Sequence, residues 1–369
     1  MMVSFLKKRA VFCAASFCAF VSCFFVPPSK AYLSYIDGHT LAVLFALMAS
    51  VAGLESCGLF RMMAVCLCAL VHTSRALSFV LVFLCFFSSM LITNDVALIA
   101  FVPFALMLLG SQKGLPPVSV AYVIVLQTVA ANTGSMLTPV GNPQNLFLYT
   151  QSGIALPAFI GILLPYTIVC GLLLALALLL VPNVSLSPLG SPNAQSHPSF
   201  LRKSLYTILF VLCLLSVAKV IPKPLLALIV LLAVLLFDAR TLLRVDYFLL
   251  LTFVAFFIFS GNIASIPAVR SLLESCVQQH ELASGLVASQ IISNVPATLL
   301  LYPFAENLKS LLLGVNFGGL GTLVASLASL ISFIMYSKSG RQGGHYLALF
   351  TLVNVIFLAL LLLVGQLFQ

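Results

Sequence analysis

The stretch ANTGSMLTPVGNPQN (131–145) sets two prolines, two glycines and three asparagines inside a chain whose long segments are otherwise apolar enough for membrane helices. Pro139 and Pro143 cannot continue a helix, and Gly134 and Gly141 permit the backbone angles of a turn. A free backbone N–H or C=O in hydrocarbon costs several kcal/mol, so unwound backbone persists there only where protein, water or a ligand satisfies it. Carbonyls released at such a break suit a hard cation such as Na⁺, while helix N-termini aimed at the same place favour an anion. The stretch therefore predicts a broken membrane helix that serves ions or solute.

Its surroundings agree. Of 369 residues 62% are hydrophobic and 7% charged, with a mean hydropathy of +1.20, far outside the composition of soluble domains. Apolar runs recur along the whole chain, several long enough to cross ~30 Å of hydrocarbon, which predicts an all-α polytopic membrane protein of about 9–11 spans. A transmembrane barrel needs short strands alternating apolar and polar, and that period is missing. The net charge of +9 is scattered over short connections. It reports topology, and nucleic acid is excluded as a partner. Ten cysteines fall mostly within apolar segments without Cys/His ligand spacing, so they read as packing residues, and no cofactor is expected. Lys7-Lys8-Arg9 and the apolar run to Val26 read as an uncleaved first helix.

With the N-terminus cytoplasmic, alternating spans leave only Lys30, Lys219, Lys223, Arg270 and Lys309 outside, and the remaining Lys and Arg residues inside. This follows the positive-inside rule and predicts a multi-pass protein of the plasma (inner) membrane. The arrangement holds whether 76–109 and 282–306 are pairs of spans or re-entrant hairpins, since both return the chain to the side it left.

The one long polar connector, 182–203, is rich in Pro and Ser and reads as a cytoplasmic linker between two halves, 1–181 and 204–369. IDGHTLAVLFALMASVAGLE (36–55) resembles VDYFLLLTFVAFFIFSGNIA (245–264), and the charge topology runs them in opposite directions. Each is followed by an interrupted hairpin (76–109 and 282–306) centred on an Asn, Asn94 or Asn294, and ending on Pro-Phe. A broken helix comes next, at 118–149 and at 311–336. Two weakly similar, oppositely oriented units with interruptions at matching places predict an inverted-topology repeat with two re-entrant hairpins and two broken helices.

The polar residues at these interruptions are the candidate site. Thr93, Asn94 and Asp95 at the first tip and Ser293 and Asn294 at the second supply oxygens and amide N–H groups, with Thr133 and Asn142 beside them for substrate. Asn94, Asp95, Asn132, Gly134, Gly141, Asn294, Asn316 and Gly318 form the cation-binding set. Asp95, one of only eight acidic residues, reads as a cation ligand or a protonatable group. The plainer readings are that the asparagines merely tie neighbouring helices together, and that Gly318, Gly319 and Gly321 form a close-packing face.

These motifs resemble the ion transporter superfamily, which holds the divalent-anion/sodium symporters with a citrate-transporter-like domain, the arsenite permeases and the NhaD-type antiporters. The nearest pattern is that of YbiR-type inner-membrane anion transporters: TNDVAL (93–98), GSMLTPVGNPQN (134–145), SQIISNVP (289–296) and NFGGLG (316–321). In the symporter branch a Ser-Asn-Thr tip on each hairpin meets substrate carboxylates and each broken helix helps hold a sodium ion. By that resemblance the first site falls on Thr93, Asn94, Asn132, Gly134 and Gly141, and the second on Ser293, Asn294, Asn316 and Gly318. Here Asp95 and Val295 stand where that pattern has Thr. Like charges ~4 Å apart repel by about 4 kcal/mol at an effective dielectric near 20, which disfavours a dicarboxylate unless Asp95 is protonated or cation-bound.

The expected function is secondary active transport of a small anionic solute coupled to Na⁺ or H⁺ by alternating access. The alternatives are Na⁺/H⁺ antiport through Asp95 and a passive channel. The absence of H-E-x-x-H and G-x-S-x-G motifs speaks against an enzyme. Expected partners are the solute and the lipid bilayer, with a homodimer allowed.

Overall fold

The computed structural model describes residues 10–112, 114–186, 200–340 and 343–368. Residues 187–199, which make up most of the expected linker, lie outside the described residues, as do Lys7, Lys8, Arg9, Lys113 and Arg341. Among the described residues all regular structure is helical, with one isolated bridge between Thr73 and Ser185.

The helices follow one another in two stretches on either side of residues 187–199. The first stretch comprises α1 (Ala10–Ser22), the short α2 (Ala31–Tyr35), α3 (Gly38–Ser56), α4 (Leu59–Cys68), the pair α5 (Ser74–Ser88) and α6 (Asn94–Leu108), the pair α7 (Pro117–Ser135) and α8 (Pro143–Ser152), and α9 (Leu156–Leu178). After α10 (Phe200–Val217) come α11 (Lys223–Asp238) with a 3₁₀ extension Ala239–Arg244, α12 (Tyr247–Ser265), and α13 (Pro267–Val277). The pair α14 (Glu281–Ile292) and α15 (Asn294–Leu301), the pair α16 (Leu308–Phe317) and α17 (Leu327–Lys338), and α18 (Gly343–Phe368) complete the second stretch.

The V/I-Asp similarity between the halves is a helix start. The Asp37 carboxylate accepts from the backbone N–H groups of His39 (3.0 Å) and Thr40 (3.1 Å), and Asp246 does the same for Phe248 (3.1 Å) and Leu249 (3.3 Å). Each satisfies donors that the first turn leaves unpaired. Pro117, Pro143 and Pro267 open their helices, where a missing N–H costs nothing. The Pro-Phe expectation needs correction in the first hairpin. Pro103 lies inside α6, which continues to Leu108, whereas Pro303 falls in the 3₁₀ turn that ends the second hairpin.

Among the described residues seven helical stretches are long and apolar enough to cross a membrane: α3, α7, α9, α10, α11 with its extension, α12 and α18. The chain is a polytopic helical membrane protein. The hairpin arms are shorter, 15 residues each in α5 and α6, 12 in α14 and 8 in α15. At 1.5 Å per residue none exceeds about 23 Å, less than the hydrocarbon thickness.

The halves interlock. The first hairpin arm packs along its own broken helix (α5 on α7, α14 on α16), but the second arms exchange: α17 packs on α6 of the other half, and α8 on α15. The flanking helices exchange as well, α1 lying on α12 and α11 on α3. Buried along almost its whole length, α7 is the centre of the molecule, while α10, α11 and α18 present exposed Leu, Ile, Val and Phe side chains outward. Cys57, Cys68, Cys85, Cys170 and Cys213 are buried packing residues as expected; Cys66 and Cys276 are exposed, and packing does not account for them.

Candidate functional site

The two broken helices unwind at 136–142 and 318–326, and each break receives the tip of the hairpin in its own half. The backbone N–H of Asn94 donates to the Gly141 carbonyl (3.2 Å), and that of Asn294 to the Ala325 carbonyl (3.0 Å). A threonine organises each break. Thr138 Oγ1 accepts from the Gly141 N–H (3.2 Å) and donates to the Met90 carbonyl; Thr322 Oγ1 accepts from the Ala325 N–H (3.2 Å) and donates to the Gln290 carbonyl (3.0 Å). The residues that close the breaks share one extended backbone, φ −144° and ψ 142° at Asn142, φ −142° and ψ 135° at Ser326. At the tips, Asn94 Oδ1 accepts from the Asp95 N–H and Asn294 Oδ1 from the Val295 N–H, both at 3.0 Å.

Side chains then join the two breaks. Asn132 is a four-way tie: its Oδ1 accepts from Asn94 Nδ2 (2.9 Å) and Ser326 Oγ (3.0 Å), and its Nδ2 donates to the Gly319 carbonyl and Ser329 Oγ (both 3.3 Å). Asn316 Nδ2 donates to Asn145 Oδ1 (2.8 Å), and Asn145 Nδ2 donates to the Met136 carbonyl (2.9 Å). In the second break Gln290 fills the gap, its Nε2 donating to the Gly318 and Leu320 carbonyls (both 2.8 Å) and its Oε1 accepting from the Thr322 N–H. This accounts for most of the backbone that unwinding frees.

Some oxygens are left over. Asn142 Oδ1 and Asn316 Oδ1 are buried without a hydrogen-bond donor. The Asp95 side chain makes no hydrogen bond or ion pair among the described residues; only its N–H is engaged, with Asn94. The two buried amide oxygens call for a donor or a cation, and the half-buried Asp95 carboxylate can take one as well. Asp95, Thr93 and Asn142 line a cavity of about 400 Å³ whose wall also carries Glu55, Arg244 and Asp246. A second cavity, of about 910 Å³, is lined by Asp37, Gln151, Phe147, Phe257 and Tyr302. Neither Ser293 nor Asn294 lines it. Ring contacts of Phe147 with Tyr302 (5.1 Å) and Phe257 (5.6 Å) stand at its wall.

Close approach explains the glycines. A Cβ on Gly134 would lie 2.1 Å from the Phe86 carbonyl oxygen, and one on Gly318 2.6 Å from Ser289 Cβ, so each seats its broken helix against the first arm of the hairpin. A Cβ on Gly141 would meet the Ser135 carbonyl oxygen at 2.1 Å. Ser293, at φ 76°, holds the second tip in a conformation that L side chains rarely adopt, where Thr93 has an ordinary φ of −66°.

The structure thus gathers Thr93, Asn94, Asp95, Asn132, Gly134, Gly141 and Asn142 at the first tip and break, and Ser293, Asn294, Asn316 and Gly318 at the second. Thr133 is not among them. Its hydroxyl donates to the Val129 carbonyl (2.7 Å) and faces Cys170 on α9, because one residue along a helix turns the side chain by about 100° from Asn132. Thr138, Ser326, Ser329 and Gln290 carry the geometry without standing among the sequence candidates. The signal for the first two is the pattern Thr-x-Val-(Gly/Ala)-(Asn/Ser) at 138–142 and 322–326.

Residues 1–316 match the model of the citrate transporter family. The chain is 32% identical over 317 residues to the inner membrane protein YbiR of Escherichia coli, covering 85% of this chain and 84% of that protein. It is 32% identical over 296 residues to an uncharacterized transporter of Methanocaldococcus jannaschii, with 80% of each chain covered. A silicon efflux transporter of Oryza sativa is 33% identical over 140 residues, 38% of this chain and 28% of that protein. With helices broken at matched places, a family match over most of its length and transporters among its relatives, this chain is a membrane transporter and belongs to the citrate transporter family.

Proposed function

We propose that the protein is a secondary active transporter that carries a small anionic solute together with Na⁺ or H⁺ by alternating access. The observation that carries this reading is the set of oxygens without donors, Asn142 Oδ1 and the Asp95 carboxylate at one break and Asn316 Oδ1 at the other. A coupling cation supplies what they lack, Na⁺ by ligation or H⁺ on Asp95. Either one neutralises Asp95 and removes the repulsion that an incoming anion would meet there. The tip amides and the N-termini of α6 and α8 then face the solute with the polarity an anion needs. Two cavities support alternating access, the smaller lined by Asp95 and the larger by Phe147, Phe257 and Tyr302 among others. In this reading residues 1–181 and 204–369 are inverted repeats, and the N-terminus is cytoplasmic.

The matching family is described by citrate and one relative by silicon, so relatives leave the solute open. A second reading has support of its own. Glu55 and Asp95 line the smaller cavity together, two carboxylates on one wall that favour cation exchange. The two are separated in proteoliposomes. Uptake of carboxylates, silicate and other oxyanions that requires an inward Na⁺ or H⁺ gradient supports symport. Proton movement driven by Na⁺ without any solute supports antiport, and solute flux indifferent to both gradients defeats both.

A further inference from the structure

We propose that the end of α11, its 3₁₀ extension and the start of α10 form a binding site for the headgroup of an anionic phospholipid, adjoining the Asp95 cavity, with which it shares Arg244. A cavity of about 690 Å³ there is lined by Arg202, Arg240 and Arg244 against a single carboxylate, Asp238. That carboxylate is already engaged. Its Oδ2 accepts from Arg202 Nε (3.0 Å) and Nη2, from Tyr206 OH (2.7 Å) and from Thr241 Oγ1 (2.8 Å). Arg240 and Arg244 have no ion pair among the described residues and are exposed.

The floor is rigid. Tyr206 is fully buried and also donates to Thr241 Oγ1 (2.8 Å), and its ring lies over Gly53 of α3, where a Cβ would meet it at 2.0 Å. Arg202 and Asp238 are thereby fixed in place, and two further guanidinium groups stand beside them with donors to spare. Guanidinium forks match phosphate oxygens bidentately.

What identifies the phosphate as that of a lipid is the rim. Leu236 (79% exposed) and Phe237 (67%), both in the cavity wall, continue the apolar outer face of α11 up to the arginines. A soluble anion makes no use of exposed leucine and phenylalanine; a phospholipid lays its acyl chains along them and its phosphate on the arginines. Basic pockets at the polar ends of membrane helices bind anionic headgroups in this way.

The test is thermal unfolding of the purified full-length protein in detergent with added phosphatidylglycerol, phosphatidylcholine or inorganic phosphate. Phosphatidylglycerol is expected to raise the midpoint, with neither phosphatidylcholine nor phosphate doing so. Arg240→Gln should weaken the apparent lipid affinity about fivefold, the worth of one arginine at a charged membrane surface. Arg240→Lys should retain most of it. Lys338→Gln, which removes a charge from an exposed residue at another place, should leave it unchanged. Equal shifts from the two lipids, a shift from phosphate alone, or equal losses in the Arg240 and Lys338 variants would each overturn the proposal. Arg240 is exposed and unpaired among the described residues, so its replacement leaves the fold intact.

Discussion

Asn316 reaches across the centre of the molecule to Asn145, its Nδ2 donating to the Asn145 Oδ1 at 2.8 Å. One broken helix thereby holds the other, and Asn132 repeats the contact in the opposite sense through Ser329. Hydrogen bonds thus join the two breaks into one buried network.

Asn316→Ala leaves the Asn145 amide oxygen without this donor, at a cost of about 1–3 kcal/mol for a buried acceptor. Asn145→Ala does the converse. If the pair acts as one link, the double variant loses less than the sum of the single losses, by about 0.5–3 kcal/mol in a double-mutant cycle of thermal stability. Strict additivity would separate the two residues.

Asn94→Ala and Asn294→Ala remove tip amides while leaving the backbone bonds of Asn94 to Gly141 and Asn294 to Ala325 in place. Both variants should reach the membrane folded and lose solute uptake. Normal uptake by the two would dissociate the tips from transport.

Asp95→Asn keeps the size of the side chain and removes its charge. The dependence of transport on Na⁺ or on pH is expected to flatten, with the folded state retained, because the Asp95 side chain makes no hydrogen bond or ion pair among the described residues. An unchanged ion and pH profile would move the coupling step elsewhere.

Gly134→Ala drives a methyl group to within 2.1 Å of the Phe86 carbonyl oxygen and should destabilise by about 3 kcal/mol or more, since backbone cannot give way as a side chain does. Gly161, inside α9 with nothing within 4 Å of its added Cβ, is the control, and Gly161→Ala should stabilise by about 0.5–1 kcal/mol. Thermal midpoints of the two variants on opposite sides of the native protein would bear this out.

At the second tip, Ser293→Ala loses the hydroxyl and keeps the positive φ, whereas Ser293→Gly loses the hydroxyl and relieves the strain. The glycine variant should be the more stable of the two by about 1 kcal/mol, the lower end of what a residue held in that region costs. An alanine variant of equal or greater stability would show that the tip relaxes when the hydroxyl is gone.

Much of the architecture was legible because hydrocarbon is an unforgiving solvent for backbone. Pro139, Gly141 and Pro143 in an otherwise apolar chain force a break, and a break has to face something polar, so the residues of 131–145 and their partners at 93–95 and 293–294 announced themselves. Composition determined the membrane class. Only tertiary structure decided which side chains close the network. Thr133 and Asn132 are neighbours in sequence, yet one turn angle sends Thr133 toward Cys170 and leaves Asn132 at the crossing of both breaks. Ser329 is an ordinary small residue to a reader of the sequence. It matters because α17 crosses to α6 and α7, a packing between positions nearly two hundred residues apart that no local pattern encodes.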